Sequence, residues 1–144
     1  MWKVTLSELV LTDDDKRAVA DALDSNWLTM GERTQAFERE FGEALDPADP
    51  PACIAVSNGT AALHLALLAL DIGPGDEVIV PSLTFVASVN AVLYTGATAV
   101  LADISSADQP TLSTAAVEAL ISERTAAVMT VHYAGQPGDV LGLR

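Results

Sequence analysis

The fold is decided by residues 53–80, which read CIAVSNGTAALHLALLALDIGPGDEVIV. An apolar run at 53–57 is followed by the small turn NGT and then by a stretch rich in helix-forming residues. The turn GPGD separates this stretch from a second apolar run that begins at Glu77. A strand, a helix and a second strand in this order are typical of a βαβ unit with parallel strands.

The same alternation continues toward the carboxyl end of the chain. The sequence predicts a loop entering a helix at 81–94 (PSLTFVASVNAVLY), a third strand at 98–103 (TAVLAD) and a fourth at 126–131 (AAVMTV). We therefore predict an α/β fold of three layers, in which helices cover both faces of a mostly parallel sheet.

Two more helices are predicted in this half of the chain. Ser113 or Thr114 caps the first, and its apolar side chains are Val117, Leu120 and Ile121. The second would open within DVLGLR, residues 139–144, with Asp139 as its cap.

The residues before the first strand favour a different organisation. Thr12, followed by three aspartates, is a suitable N-cap for one helix, and a second helix carries Phe37, Phe41 and Leu45 on one face. The proline-rich segment DPADPPA, residues 46–52, cannot continue that helix. We predict a helical segment and linker over residues 1–52 and an incomplete α/β domain over residues 53–144.

Composition excludes several classes of function. The formal net charge is −13, which opposes binding to nucleic acid or to anionic membranes. Cys53 is the only cysteine, so the chain can form neither an internal disulfide nor a cysteine-based zinc cluster. The opening sequence does not match a signal peptide, and no stretch has the length of a membrane span. We expect a cytoplasmic protein.

Ligands of a parallel sheet bind beyond the carboxyl ends of its strands. Four loops are predicted there: SNGT (57–60), PSLTF (81–85), ADIS (102–105) and VHYAGQ (131–136). Gly59 would let an anion approach the start of a helix, where Thr60 adds a hydroxyl donor, although an ordinary capped glycine turn has the same pattern. Phe85 could stack on a flat heterocycle or pack in the core.

The remaining polar candidates give weaker signals. His64 lies in an apolar helix without a second metal ligand at a suitable spacing, so we interpret it as structural. His132 and Tyr133 follow a strand, but a histidine without an orienting partner does not make a general base. Asp103 is interpreted as a loop cap. The sequence contains no recognisable nucleophile motif.

Taken together, three segments resemble the DegT/DnrJ/StrS sugar aminotransferases. They are NWLTMGERTQAFEREF, SNGTAALHLALLALDIGPGDEVIVPSLTFVASVNAVLYTGATAVLADI and ERTAAVMTVHYAGQPGD. The resemblance implies a fold-type I enzyme that uses pyridoxal 5'-phosphate. Such an enzyme moves an amino group from an amino-acid donor, commonly glutamate, to a keto-sugar carried on a nucleotide. It also implies a homodimer with its active site at the subunit interface.

The resemblance assigns roles to particular positions. Gly59 and Thr60 match the turn that holds the cofactor phosphate, and Phe85 matches the aromatic residue that stacks on the pyridine ring. The NWLTMG loop, with Trp27, Thr29 and Gly31, matches a segment close to the substrate.

The chain also departs from the family pattern. The family binds its cofactor through a lysine and pairs an acidic side chain with the pyridine nitrogen. The lysines here are Lys3 and Lys16, and neither matches the catalytic position. We therefore expect a truncated chain that is inactive alone. Two alternatives stay open: a sugar dehydratase of the same family, which lacks that lysine, and a non-catalytic binding remnant.

Overall fold

The computed structural model describes residues 8–144, which form two compact units, one ending at Ala55 and the other spanning Val56–Arg144. Lys3 and the first half of the opening sequence lie outside the described residues. Within them, no helix has the length and apolar character needed to cross a membrane.

The first unit contains helices α1, Asp13–Asp24, and α2, Glu32–Leu45. Thr12 caps α1 as predicted: its hydroxyl oxygen accepts from the Asp15 amide at 3.2 Å, and the Asp15 carboxylate accepts from the Thr12 amide at 2.8 Å. The hydrogen bond from the Thr12 hydroxyl to this carboxylate lowers the pKa of Asp15. This reciprocal pair satisfies two backbone donors that a bare helix start would leave free.

The segment after α2 folds back along that helix. Gly42 is buried and leaves room for the Pro51 carbonyl oxygen, which a Cβ at that position would approach to 2.6 Å. The Ala55 amide donates to the Glu38 carboxylate at 2.7 Å. The proline-rich linker is therefore an ordered part of the first unit, and the helix ends at Leu45 as the sequence predicts.

The second unit has a parallel sheet in the order β2-β1-β3, with β1 at Glu77–Pro81, β2 at Thr98–Ala102 and β3 at Thr125–Val128. Helices α3, Gly59–Ala69, and α4, Ala87–Thr95, pack against each other. A short helix α5, Thr114–Glu118, precedes β3.

Alternate side chains of β1 enter two separate apolar cores. Val78 and Val80 pack with residues of α3 and α4, whereas Ile79 packs with Ala102, Leu112 and Val117 on the other face. Because successive side chains of a strand point to opposite faces, the sheet is covered on both sides. The structure thus confirms the three-layer α/β fold.

The amino ends of β1 and β3 are joined by a polar cluster around Glu77. Its carboxylate accepts from the Ser122 hydroxyl at 2.6 Å and from Arg124 Nε at 3.0 Å, and its amide donates to the Arg124 carbonyl at 2.8 Å. The bond from Ser122, followed by those from Arg124, lowers the pKa of Glu77 despite burial of the residue. This cluster lies at the edge of the sheet opposite to the one where ligands are expected.

Three predicted elements were wrong. CIAVS at 53–57 is not a strand, because within the described residues no strand pairs with it, and Ile54 is 82% exposed. The helix of Val117 ends at Glu118, before Leu120 and Ile121, because the chain turns at Ser122. The Ser122 amide donates to the Thr125 hydroxyl at 2.9 Å, and the Ser122 hydroxyl donates to the Glu77 carboxylate at 2.6 Å.

The third concerns DVLGLR at 139–144, which forms a turn and not a helix. The Asp139 carboxylate accepts from the Gly142 amide at 2.8 Å, and the Val140 amide donates to the Gly138 carbonyl at 2.9 Å. Glycine at 142 also has a low helix propensity.

Candidate functional site

Three of the four predicted loops begin at one edge of the sheet. The Ser82 amide donates to the Ala102 carbonyl at 2.8 Å, and the Met129 amide donates to the Ile79 carbonyl at 2.8 Å. The chain therefore leaves β1, β2 and β3 in the same direction, and the loops that follow them start side by side. This is the carboxyl edge of a parallel sheet, where ligands bind in such folds.

Helix α3 brings the fourth loop, SNGT, toward the same edge. A short turn at 70–76 joins the end of α3 to the amino end of β1, and the Gly73 amide closes it by donating to the Asp76 carboxylate at 2.9 Å. Leu63 and Leu67 of α3 both pack on the core that contains Val78 and Val80. Because α3 lies along the sheet face and its end adjoins the start of β1, its amino end is directed toward the carboxyl edge.

The start of α3 presents hydrogen-bond donors. Asn58 caps the helix, since its side-chain oxygen accepts from the Ala61 amide at 2.9 Å. Among residues 8–144, the amides of Gly59 and Thr60 and the Thr60 hydroxyl have no hydrogen-bond partner. Among residues 8–144, apart from its chain neighbours and its own helix backbone, no heavy atom lies within 4 Å of a Cβ built on Gly59, so the approach is open. This set of donors fits a phosphate group.

Phe85 follows β1 and is 76% exposed. The interpretation of Phe85 as a core residue was therefore wrong, and its ring is free to contact a ligand. The sequence prediction overlooked the hydroxyls of Thr84 and Ser88, which flank Phe85 in the sequence and whose oxygens lie 2.7 Å apart. Their spacing of four residues around an aromatic residue was the signal that could have identified them.

The NWLTMG loop lies in the first unit, where Trp27, Thr29 and Gly31 line one groove of about 760 Å³ between the end of α1 and the start of α2. Trp27 Nε1 donates to the Met30 carbonyl at 3.2 Å. The indole lies so close to Gly31 that a Cβ there would come within 2.6 Å of Trp27 Cδ1. The three predicted residues are thus brought together in one loop.

The other polar candidates are engaged in local contacts. His64 packs edge-on against Tyr94, with ring centroids 5.6 Å apart, which is consistent with a structural role. Nδ1 of His132 accepts from the Gly138 amide at 3.1 Å, and the Asp103 carboxylate accepts from the Ile104 amide at 2.8 Å. Within the described part of the chain, no group of acidic, histidine or cysteine side chains could hold a metal ion.

A comparison with protein families matches residues 10–144 to the DegT/DnrJ/EryC1/StrS aminotransferase family. The dTDP-4-dehydro-2,3,6-trideoxy-D-glucose 4-aminotransferase of Saccharopolyspora spinosa is 39% identical over 141 residues, which are 97% of this chain and 36% of that protein. The chain thus spans about a third of the length of the curated relative that it matches.

Solved structures give the same result. DesV of S. venezuelae, solved in complex with a ketimine intermediate, is 44% identical with a TM-score of 0.80, over 90% of this chain and 34% of DesV. An aminotransferase of Psychrobacter cryohalolentis is 39% identical with a TM-score of 0.84, over 93% of this chain and 33% of the other. A Streptococcus pneumoniae protein solved in a PLP form is 34% identical with a TM-score of 0.86, over 99% of this chain and 35% of its own.

Proposed function

Because the chain belongs to the DegT/DnrJ/EryC1/StrS aminotransferase family, we propose that the whole protein is a pyridoxal-phosphate-dependent aminotransferase. Its acceptor is a keto-sugar linked to a nucleotide, and its amino donor is an amino acid, in the first place glutamate. The observation that supports this best is the open set of donors at Gly59 and Thr60, directed toward the carboxyl edge of the sheet.

Each proposed site residue has a distinct task. The amides of Gly59 and Thr60 and the Thr60 hydroxyl would hold the phosphate of the cofactor, and Phe85 would lie against its pyridine ring. Trp27, Thr29 and Gly31 would border the sugar substrate. When bound, pyridoxal phosphate supplies the electron sink that amino-group transfer requires. We also propose that the protein works in the cytoplasm as a homodimer.

The lysine that binds the cofactor is proposed to come from outside these 144 residues. Lys16 lies on α1 and pairs with Asp13 at 3.0 Å, so its charge is explained by that surface contact. Replacing Lys16 with arginine and Lys3 with alanine should leave transfer by the whole protein unchanged. Loss of cofactor attachment in either variant would contradict this part of the proposal.

Transfer of ¹⁵N tests the function directly. The whole protein is supplied with pyridoxal phosphate, ¹⁵N-glutamate and a dTDP-linked 4-keto-sugar, and the sugar nucleotide is analysed by mass spectrometry. Appearance of ¹⁵N in the sugar supports the proposal. Loss of a hydroxyl without gain of nitrogen would assign the protein to the dehydratase alternative. An unchanged sugar, together with unchanged glutamate and other amino donors, would favour a binding protein without turnover.

A further inference from the structure

The loop between β1 and α4 is closed by a ring of hydrogen bonds around the Phe85 backbone. The Ser88 amide donates to the Phe85 carbonyl at 3.1 Å, and the Thr84 hydroxyl donates to the same oxygen at 3.3 Å. Thr84 Oγ1 and Ser88 Oγ are 2.7 Å apart. Either hydroxyl can be the donor in this contact.

The burial of Ser88 separates it from ordinary surface serines. Ser88 is 5% exposed, whereas Phe85, three residues earlier, is 76% exposed. A buried hydroxyl needs a partner, and within the described residues Thr84 is the side chain that provides one. The first turn of α4 has no side-chain cap at Val86, so this hydroxyl pair is the side-chain contact that fixes the start of the helix.

We propose that Ser88 is a positioning residue, which acts through Thr84 to hold the exposed Phe85 ring in place for its ligand. The inference rests on the proposed function, in which that ligand is the pyridine ring of pyridoxal phosphate. An exposed aromatic residue on a free loop would lose mobility on binding, and this loss would weaken the complex. With the loop already closed by Ser88 and Thr84, less mobility remains to be lost.

Fluorine NMR measures the mobility of this ring without any cofactor. These 144 residues contain three phenylalanines, Phe37, Phe41 and Phe85, and after labelling with 4-fluorophenylalanine the signal that each Phe→Leu variant removes is assigned to that residue. In Ser88→Ala the Phe85 signal should narrow and move toward the position of free fluorophenylalanine. The signals of Phe37 and Phe41, in the first unit, should stay unchanged.

Matched variants separate positioning from general loss of stability. Thr84→Val should reproduce the effect of Ser88→Ala, while Ser88→Thr and Thr84→Ser keep a hydroxyl and should restore the original signal. Thr95→Val removes another buried hydroxyl from α4, the one that donates to the Val92 carbonyl at 2.8 Å. This control should lower stability without moving the Phe85 signal. An identical Phe85 signal in Ser88→Ala and the unaltered protein would overturn the proposal.

The second measurement is titration of the whole protein with pyridoxal phosphate. Ser88→Ala should weaken binding about threefold to tenfold, and Ser88→Thr should restore it. If Phe85→Ala binds the cofactor normally while the fluorine result holds, the stacking assignment fails and the loop closure stands. If Phe85→Ala loses the cofactor while Ser88→Ala changes neither measurement, the proposed function stands and the positioning role fails.

Discussion

At the scale of single residues, Thr60 decides whether the start of α3 is an anion site or only a capped turn. Its hydroxyl has no partner among residues 8–144, so replacing it with alanine removes a donor without breaking a contact in the fold. A hydrogen bond to a charged group contributes about 1.5–3 kcal/mol. Thr60→Ala in the whole protein should therefore weaken pyridoxal-phosphate binding about 10- to 150-fold, measured by equilibrium dialysis.

Thr60→Ser keeps the hydroxyl and is the matched control, which should bind nearly as well as the unaltered protein. The thermal unfolding midpoint should be the same for all three proteins. If Thr60→Ala and Thr60→Ser bind pyridoxal phosphate with equal affinity, Thr60 has only a local role at the start of the helix.

The exposure of Phe85 could not be predicted from its neighbours in the sequence. The pattern around it allowed both a core position and a ligand contact, because an aromatic residue between a strand and a helix suits either. Exposure depends on which side of the loop faces the core, and the residues next to Phe85 in the sequence do not specify that side. Asn58, Gly59 and Thr60 were placed correctly at a helix start because capping is a local effect, which neighbouring residues suffice to specify.

At the scale of elements, Gly42 of α2 and Gly59 of α3 should respond in opposite ways to replacement by alanine. Gly42 lies in α2 against the Pro51 carbonyl, which belongs to the backbone and cannot move without displacing the linker. Alanine favours a helix by about 1 kcal/mol over glycine, but overpacking costs about 1–3 kcal/mol. Gly42→Ala should therefore lower the free energy of unfolding by up to about 2 kcal/mol in urea denaturation.

Gly59→Ala is the control for this prediction, since in the described part of the chain a Cβ on Gly59 would have no neighbour within 4 Å beyond its own helix and adjacent residues. It should leave the free energy of unfolding unchanged or raise it slightly. A stabilising Gly42→Ala would mean that the linker does not rest on α2 as the structure has it.

The neighbour of Gly31 is the Trp27 ring, which can move. Gly31→Ala should push the indole away from the Met30 carbonyl and break the hydrogen bond from Nε1. Losing that bond costs about 0.5–1.5 kcal/mol, so the fold should survive. With Trp2→Phe removing the other tryptophan of these 144 residues, the emission of Trp27 should shift to longer wavelength. An unshifted spectrum would show that the indole does not rest on Gly31; Thr29→Ala, in the same loop, is the control.

The elements that sequence predicted correctly are those whose signals are local. The capped helix α1 and the apolar strands β1, β2 and β3 follow from caps, turns and alternation. The errors arose in segments whose structure depends on contacts with residues distant in the sequence. CIAVS has the composition of a strand but needs a pairing partner. The helix at Val117 ends before a turn in which Ser122 bonds to Glu77, 45 residues away along the chain. The division at residue 52 stays a prediction.

At the scale of the whole molecule, the sheet has its proposed binding groups at one edge and the polar cluster around Glu77 at the other. Glu77, Ser122 and Arg124 tie together the amino ends of β1 and β3, which are neighbours in space but distant in sequence. The global stability of the second unit should therefore depend on pH through Glu77, without any change in the donors at Gly59 and Thr60.

The direction of that dependence follows from the lowered pKa of Glu77. Its ionised carboxylate accepts from Ser122 and Arg124 in the folded state, so folding favours the charged form. The resulting stability is fully present above the ordinary glutamate pKa of about 4.3 and is lost as the pH falls through the lowered value. In urea denaturation, the free energy of unfolding of the unaltered protein should exceed that of Glu77→Gln by a constant margin from about pH 8 to about pH 5. This margin should shrink below about pH 4.

Other carboxylates also titrate in acid, and the pKa of Asp15 is lowered in the same direction by Thr12. The comparison with Glu77→Gln removes their contribution, because both proteins share it. Ser122→Ala removes the main cause of the lowered pKa of Glu77. In the Ser122→Ala background, the difference in free energy of unfolding that Glu77→Gln causes should therefore begin to shrink at a higher pH than in the unaltered protein. Asp15→Asn should reduce the acid sensitivity of α1 independently of both variants. The difference in free energy of unfolding between the unaltered protein and Glu77→Gln could instead be as large at pH 3 as at pH 7. That result would mean that the amino ends of the strands are held together by packing of the Glu77 side chain and not by its charge.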